Sequence, residues 1–262
     1  EARSQTAGVA GAIDVWHPRF LAGLGHSLHS YEVEPYEWSV RRAAAHLHAE
    51  FPFDLIHAHF VYPDGVAAVR LGQLYDVPVA LTEHAVWQPW MDNYPRVRKL
   101  AKWAVDRCAF QLAASRYQRD SILKVTQRPD KLRLIPIGMA EQHFRLPPPG
   151  VVADPDQIVF VGRLQHVKGV DILLHAFALL LAERPSLRLK LVGSSFYQHA
   201  AKEEQQLHDL ARQLGVDAQV EFAGPQPAPA VARTMQESTL LVLPSRRESF
   251  GSVLTEALGC GI

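Results

Sequence analysis

Cysteine is almost absent from this chain: 262 residues hold two, Cys108 and Cys260, one in each half. A disulfide framework is therefore excluded as its source of stability, and the pair reads as reduced, cytosolic thiols. There are thirteen His, but no Cys/His set with zinc spacing accompanies them. An excess of one charge is missing too. Lys plus Arg and Asp plus Glu number 27 each, so no basic field points to nucleic acid and no acidic block to a tail. No apolar run reaches the length of a membrane span, and no repeat of solenoid length or low-complexity tract is present. What remains is 48% apolar and 21% charged, globular material for one large domain or two ordinary ones. The chain opens at Glu1 and stops at Cys260-Gly261-Ile262, where a helix would be turning into its next strand. It is expected to be a fragment open at both ends, for which the lack of a leader segment is uninformative.

Short apolar strands alternate with helical patterns throughout. A strand is expected within 7–16, a loop over 17–36 and a helix over 37–50. Then come a strand at 54–57, a turn at Pro63-Asp64-Gly65 opening a helix, and a buried strand at 77–82. A helix over about 94–107, a strand at 110–114, a helix over 117–125 and a strand at 132–137 complete the first half. Leu146-Pro147-Pro148-Pro149-Gly150 cannot continue a helix and reads as a stiff linker. The rhythm then restarts, with strands at 158–161, 187–192, 220–222 and 240 and helices over 168–181, 203–214 and 228–235. This predicts an α/β protein of two parallel-sheet domains, 1–147 and 148–262.

The segment from Leu243 to Gly261, LPSRRESFGSVLTEALGCG, straddles a change from strand to helix. It sets Glu248 in the loop at a strand's carboxyl end and Glu256 in the early turns of the helix. Val253, Leu254, Ala257 and Leu258 are spaced to share one helix face. Ligands bind in such crevices of open α/β sheets. The N–H groups around Phe250, Gly251 and Ser252 suit a phosphate. A carboxylate at Glu256 suits the vicinal hydroxyls of a ribose or hexose. An isolated acidic pair near a helix start would be dipole compensation; here Pro, Ser, Phe-Gly and Ala-x-x-Cys-Gly also fall in register. Upstream, VGRLQHVKG places Arg163 after a strand and Lys168 near a helix start, where the two cations can converge on one doubly charged group.

The spelling P-S-x-x-E-x-F-G-x-x-x-x-E-A-x-x-C-G strongly resembles the signature of retaining family-four glycosyltransferases of the GT-B fold, and V-G-R-L-x-x-x-K-G looks like their diphosphate site. The resemblance implies two Rossmann-like domains, both incomplete, whose parallel sheets face a central cleft. It implies that Arg163 and Lys168 stabilise the departing diphosphate, that Glu248 lies against the donor sugar, and that Glu256 binds the ribose. Amides at Phe250 and Gly251 would help hold sugar and phosphate. Phe222-Ala223-Gly224-Pro225 resembles the segment bordering the nucleotide base, which brings in Pro225. Gly193 either lets backbone approach the ligand or makes an ordinary tight turn. His84, after a strand end, matches a His that touches the donor sugar near the reacting carbon. His57-Ala58-His59 resembles the family's D-x-x-H-x-H segment. His57 and His59 share a strand face, but no third ligand is evident and no metal is expected; His59 and Tyr62 are instead acceptor-side candidates. The family's Gly-rich loop and its closing C-terminal helix are not spelled anywhere, and are expected outside 1–262.

The implied activity is transfer of a hexose, with retention, from a nucleoside-diphosphate sugar of the UDP or GDP type to a saccharide or lipid-linked acceptor, in surface polysaccharide or glycolipid synthesis. No tightly bound cofactor is expected and no general base is identified. Trp87, Trp90 and Met91 precede Arg96, Arg98, Lys99, Lys102, Trp103 and Arg107. That basic-aromatic segment over 87–107 would suit anionic lipid at the inner face of a membrane, or it is a solvated helix face with Trp in the core. Two alternatives stay open: a nucleotide-sugar epimerase of similar fold, and a nucleotide-binding fragment without turnover.

Overall fold

A computed structural model of the chain describes residues 2–8, 11–21, 29–85, 91, 93–195 and 200–262. The chain divides into two units, Glu1–Pro136 and Ile137–Ile262.

The first unit opens with β1 (Ala2–Gly8) and β2 (Gly11–His17), an antiparallel pair in a sheet of its own. The single strand expected within 7–16 is thus corrected to the end of one strand and most of another. Gly8 and Gly11 face each other across the pair. The helix α1 (Val33–Glu50) starts four residues earlier than the sequence pattern implied, because Pro35 is tolerated in a first helical turn. Val33, Ser39 and Ala43 form its buried stripe.

Then follow β3 (Ile56–His59), α2 (Val66–Tyr75), β4 (Val79–Glu83), α3 (Pro95–Arg107), β5 (Phe110–Ala113), α4 (Arg116–Leu123) and β6 (Leu132–Leu134). The four strands are parallel in the order β3-β4-β5-β6. Within α2, Gly72 lies so close to β4 that a Cβ would sit 2.4 Å from Val79 Cγ2. Bare backbone is what lets helix and strand meet there. Val61, Val66, Val69, Leu81, Val97, Ala101, Ala104 and Ile122 build the core.

The second unit holds β7 (Asp154–Val161), α5 (Val170–Glu183), β8 (Arg188–Val192), α6 (Ala200–Gln213), β9 (Val220–Gly224), α7 (Ala228–Gln236), β10 (Ser238–Leu241) and α8 (Ser252–Gly259). Its parallel strands run in the order β10-β7-β8-β9. Period-two alternation buries both faces of the sheet. Ile158 and Phe160 of β7, with Leu189 and Leu191 of β8, enter one cluster against α5. Val159 and Val192 enter another with Val231, Met235 and Ala257.

Two sequence readings shift here. The proline run at 146–150 is not where the units divide, because Met139, Ala140 and Phe144 already belong to the second unit's core. On α8 the inward stripe is Val253, Ala257 and, just past its end, Cys260. Leu254 and Leu258 lie a further 100° around the helix and are 44% and 73% exposed.

Candidate functional site

The order β10-β7-β8-β9 contains one reversal. From β7 the chain steps outward to β8 and β9, then returns to β10 on the other side of β7. Loops leaving the carboxyl ends of β7 and β10 therefore diverge around a crevice, the topological switch point where α/β sheets bind ligands. The loop after β7 carries Arg163 and Lys168; the loop after β10 carries Ser245 to Gly251.

Several contacts hold these loops together. Gly169, at φ +69°, starts α5 against Pro244: a Cβ there would fall 2.1 Å from the Pro244 carbonyl oxygen. The Arg246 amide donates to the Val167 carbonyl at 2.9 Å. Its guanidinium donates to the His166 carbonyl and, through both arms, to the Asp171 carboxylate at 2.7 and 2.6 Å. That bidentate partner holds the Asp171 carboxyl below its ordinary range. Neither Arg246 nor Asp171 drew notice in the sequence. Their side chains are 75 positions apart, and only the fold pairs them.

The product of this clamp is a contact between two residues the sequence singled out. Lys168 Nζ donates to Glu248 Oε2 at 2.6 Å, and Ser245 Oγ donates to the same oxygen at 3.2 Å. Glu248 also packs under Gly251, whose φ of +78° turns the chain into α8. Among the described residues no acceptor meets the amides of Phe250, Gly251 or Ser252, and no carboxylate pairs with the exposed Arg163. Gly193 follows β8 at φ +133°, its backbone so close to Gly162 that a Cβ would lie 2.0 Å from the Gly162 carbonyl oxygen. Only glycine allows that approach. Pro225 follows β9. Glu256 stands one turn into α8, half-buried, with no donor facing it among the described residues. Burial pushes its carboxyl above the ordinary range.

His84 belongs to the first unit, just beyond β4. Parallel register sets His59 of β3 beside Thr82 of β4, which brings three imidazoles together. His57 Nε2 lies 2.8 Å from Thr82 Oγ1, and His59 Nδ1 lies 2.7 Å from His84 Nε2. Burial, then the neighbouring rings, lower the affinity of His57 and His84 for a second proton. No group of three or more His, Cys, Asp or Glu among the described residues is arranged to hold a metal ion. Tyr62 donates through its hydroxyl to the His29 carbonyl at 2.7 Å.

Beneath His84 lies Glu83, a residue the sequence reading passed over. Its buried carboxylate accepts from the amides of Val61 at 3.1 Å and Ala85 at 2.8 Å. Burial nonetheless pushes its pKa up to about 7, against the pull of those amides. Gln118, fully buried on α4, donates to the carbonyls of Glu83 at 2.7 Å and Ala85 at 3.1 Å and accepts from Ala114 N at 2.6 Å.

The basic residues over 87–107 are largely engaged within the unit. Trp87 and Trp90 lie outside the described residues, and Met91 is buried. Arg96 pairs with Glu34 and covers the Tyr31 ring at 4.6 Å. Lys102 donates to the Val125 carbonyl at 2.8 Å, and Arg107 lies over Trp103 at 5.2 Å. No helix among the described residues is long and apolar enough to cross a membrane.

Comparison with known proteins meets this geometry from the other side. The family model for glycosyl transferases group 1 matches residues 145–262. The D-inositol 3-phosphate glycosyltransferase of Thermobispora bispora is 30% identical over 231 residues, 80% of this chain and 53% of that protein. The protein of the same name from Frankia alni is 31% identical, over 80% of this chain and 56% of its own. The chain thus spans about half the length of the curated relatives it matches. Anabaena HepE in complex with UDP superposes with a TM-score of 0.72 at 22% identity, covering 85% of this chain and 61% of HepE. Sucrose-phosphate synthase from Thermosynechococcus elongatus does so with a TM-score of 0.76 at 22% identity, over 93% and 63%. These likenesses carry the fold, which is GT-B with two Rossmann-like units. With the Glycosyltransferase Family 4 model matching residues 12–143, half of its length, the chain belongs to glycosyltransferase family 4.

Proposed function

We propose that the switch-point crevice of the second unit binds a nucleoside-diphosphate sugar, and that the protein transfers its hexose with retention to a saccharide or lipid-linked acceptor. The observation that carries this reading is the meeting of Lys168 with Glu248 beside unengaged amides at 250–252 and an unpartnered carboxylate at Glu256. Cations, aimed amides and a hydroxyl acceptor are the three demands of a diphosphate, a phosphate–sugar junction and a ribose.

In the transfer, the acceptor oxygen bonds to the anomeric carbon on the face from which the diphosphate departs. The carbon–oxygen bond to the diphosphate breaks, and the acceptor's proton goes to the leaving phosphate. Arg163 and Lys168 neutralise charge that grows on the diphosphate as the bond breaks, which stabilises the transition state more than the ground state. Glu248 accepts from a hydroxyl of the donor sugar. Glu256 accepts from the ribose, and Gly193 and Pro225 border the nucleotide.

A uridine nucleotide is favoured because solved neighbours are described with UDP and UDP-glucose. The name of the curated relatives, D-inositol 3-phosphate glycosyltransferase, supports a polyhydroxylated, phosphate-bearing molecule among the acceptors. A role in surface polysaccharide or glycolipid synthesis at the cytoplasmic face of a membrane belongs to the same proposal, and rests on the basic residues of α3.

Calorimetric titration with UDP, GDP and ADP tests it. One diphosphate should saturate the site, and Glu256→Ala and Lys168→Ala should each weaken it. A folded chain that binds none of the three would refute the assignment.

A further inference from the structure

Between α7 and the segment 142–148, the second unit holds a cavity of about 480 Å³. Its polar lining is Gln142, His143, Arg145, Arg233 and Gln236, and no lining residue is acidic. The Arg145 guanidinium meets no partner among the described residues. Arg233 has one carboxylate nearby, Glu237 at 3.5 Å, with the two side chains 76% and 56% exposed. Water screens such a pair, and an incoming anion can replace it. Elsewhere in the unit, Arg184, Arg188, Arg212 and Arg246 each hold a carboxylate closely. Uncompensated guanidinium charge is thus gathered at this cavity.

The frame around it is fixed. Gln236 Nε2 donates to the Arg145 carbonyl at 2.8 Å and ties the last turn of α7 to the segment. Phe144, beside Arg145, is buried with Val231 and Met235. The amides of His143 and Phe144 both donate to the Ala140 carbonyl, at 2.9 and 3.0 Å. Pro148 and Pro229 add walls of set φ. The cavity is also apart from the donor crevice. Gln236 stands two residues before β10, at the amino end of the parallel strands, and the crevice opens at their carboxyl ends.

Two guanidinium forks match the oxygens of a phosphate and stay charged at every ordinary pH. Side-chain amides both donate to and accept from hydroxyls. A volume of about 480 Å³ exceeds what a bare phosphate fills and falls within the range of small-molecule sites. We propose that this cavity is a second anion site, one that takes the phosphate monoester of a polyhydroxylated molecule. Arg145 and Arg233 hold the phosphate, and Gln142 and Gln236 meet the hydroxyls. The site does not depend on the reading of the donor crevice.

The test is calorimetric titration of the whole chain with glucose 6-phosphate, inorganic phosphate and glucose, each with UDP in excess to fill the crevice. Glucose 6-phosphate should bind at one site, inorganic phosphate more weakly and glucose not at all. Arg145→Gln and Arg233→Gln should each weaken glucose 6-phosphate about tenfold or more, the loss of a charge-assisted contact. Both side chains are exposed, so the melting temperature should stay at the wild type's. Lys168→Ala in the crevice and Arg184→Gln on the surface should leave this affinity unchanged. Flotation with phosphatidylcholine vesicles, with and without phosphatidylinositol 4-phosphate, separates a free ester from a lipid headgroup. Retention by the phosphorylated lipid that Arg145→Gln abolishes would support the site and give it a headgroup as ligand.

A folded chain that binds neither glucose 6-phosphate nor those vesicles would overturn the proposal. An affinity that falls as much in Arg184→Gln would overturn it too, since net charge would then explain the binding. Loss in Lys168→Ala but in neither cavity variant would place the phosphate in the crevice instead. A chain that binds glucose 6-phosphate through Arg145 but no UDP would refute the crevice assignment and leave this site standing.

Discussion

Glu256 and Gly193 show how single residues carry opposite burdens. The Glu256 carboxylate is half-buried with no donor facing it among the described residues, and burial raises its pKa. Such a group costs stability until a ligand supplies donors. Glu256→Gln should leave thermal stability equal to or above the wild type's, while UDP affinity falls about tenfold, as expected for losing a charged acceptor. Differential scanning calorimetry beside ligand titration checks this; a parallel loss of stability and affinity would mean the carboxylate has a structural partner. At Gly193 the burden is steric. Its φ of +133° and the 2.0 Å approach to the Gly162 carbonyl leave no room for a methyl group. Gly193→Ala should cost about 2 kcal/mol or more, because strain and a displaced backbone add. Gly215, at φ +69° with nothing within 4 Å, has only the conformational penalty, and Gly215→Ala should cost about 1 kcal/mol. Urea denaturation of the two variants compares them directly.

Among the elements, β4 and its flanking turns hold a carboxylic acid in a place that favours the neutral form. The folded pKa of Glu83, about 7, lies above its ordinary 4.5. Stability from this group is fully present below pH 4.5, falls as pH rises from there because the unfolded chain ionises while the folded one keeps its proton, and is lost once pH has risen through about 7. The loss is on the order of 3 kcal/mol, each pKa unit being about 1.4 kcal/mol. Urea unfolding at pH 5 and pH 8 should show it, and Glu83→Gln should flatten that slope. An equal slope in the variant would assign the effect to other groups. In the loop after β10, Arg246 makes three of the side-chain bonds that tie it to the loop after β7 and the start of α5. Arg246→Ala removes its bonds to His166 and Asp171 and frees Glu248 from its station by Lys168. Being exposed, Arg246 should add little to stability. UDP affinity should drop while the melting temperature stays near the wild type's, and Asp171→Asn should reproduce that drop in part.

For the molecule as a whole, the position of the division between units has a measurable consequence. Met139, Ala140 and Phe144 precede the proline run yet complete the core around Val231, Met235 and Ala257. A fragment of residues 137–262 should unfold cooperatively. A fragment of 148–262 lacks Phe144 and should be less stable by about 3 kcal/mol or more, the usual loss for a buried Phe. Thermal melts followed by circular dichroism compare the two; equal stability would return the boundary to the prolines.

Alternation of short apolar runs with 3.6-periodic segments was enough to locate nearly every strand and helix. Those signals are local, set by burial on two sheet faces or one helix face. The 243–261 and 162–169 strings were legible because loop residues at strand ends need particular types in particular order. What spacing along the chain could not supply was partnership between distant residues. The β1–β2 hairpin, the bridging Glu83 and Gln118, the Arg246–Asp171 clamp and the His59–His84 bond all join positions whose nearness depends on strand order and register. The inward face of α8 was misjudged for the same reason: apolar spacing allows two neighbouring stripes, and the sheet beneath chooses one. By itself, then, the sequence determined the α/β class, the family and the loops that carry Arg163, Lys168, Glu248 and Glu256. Only the tertiary structure decided that Lys168 meets Glu248 and that His59 meets His84, because a side chain's partner is set by the packing of distant segments.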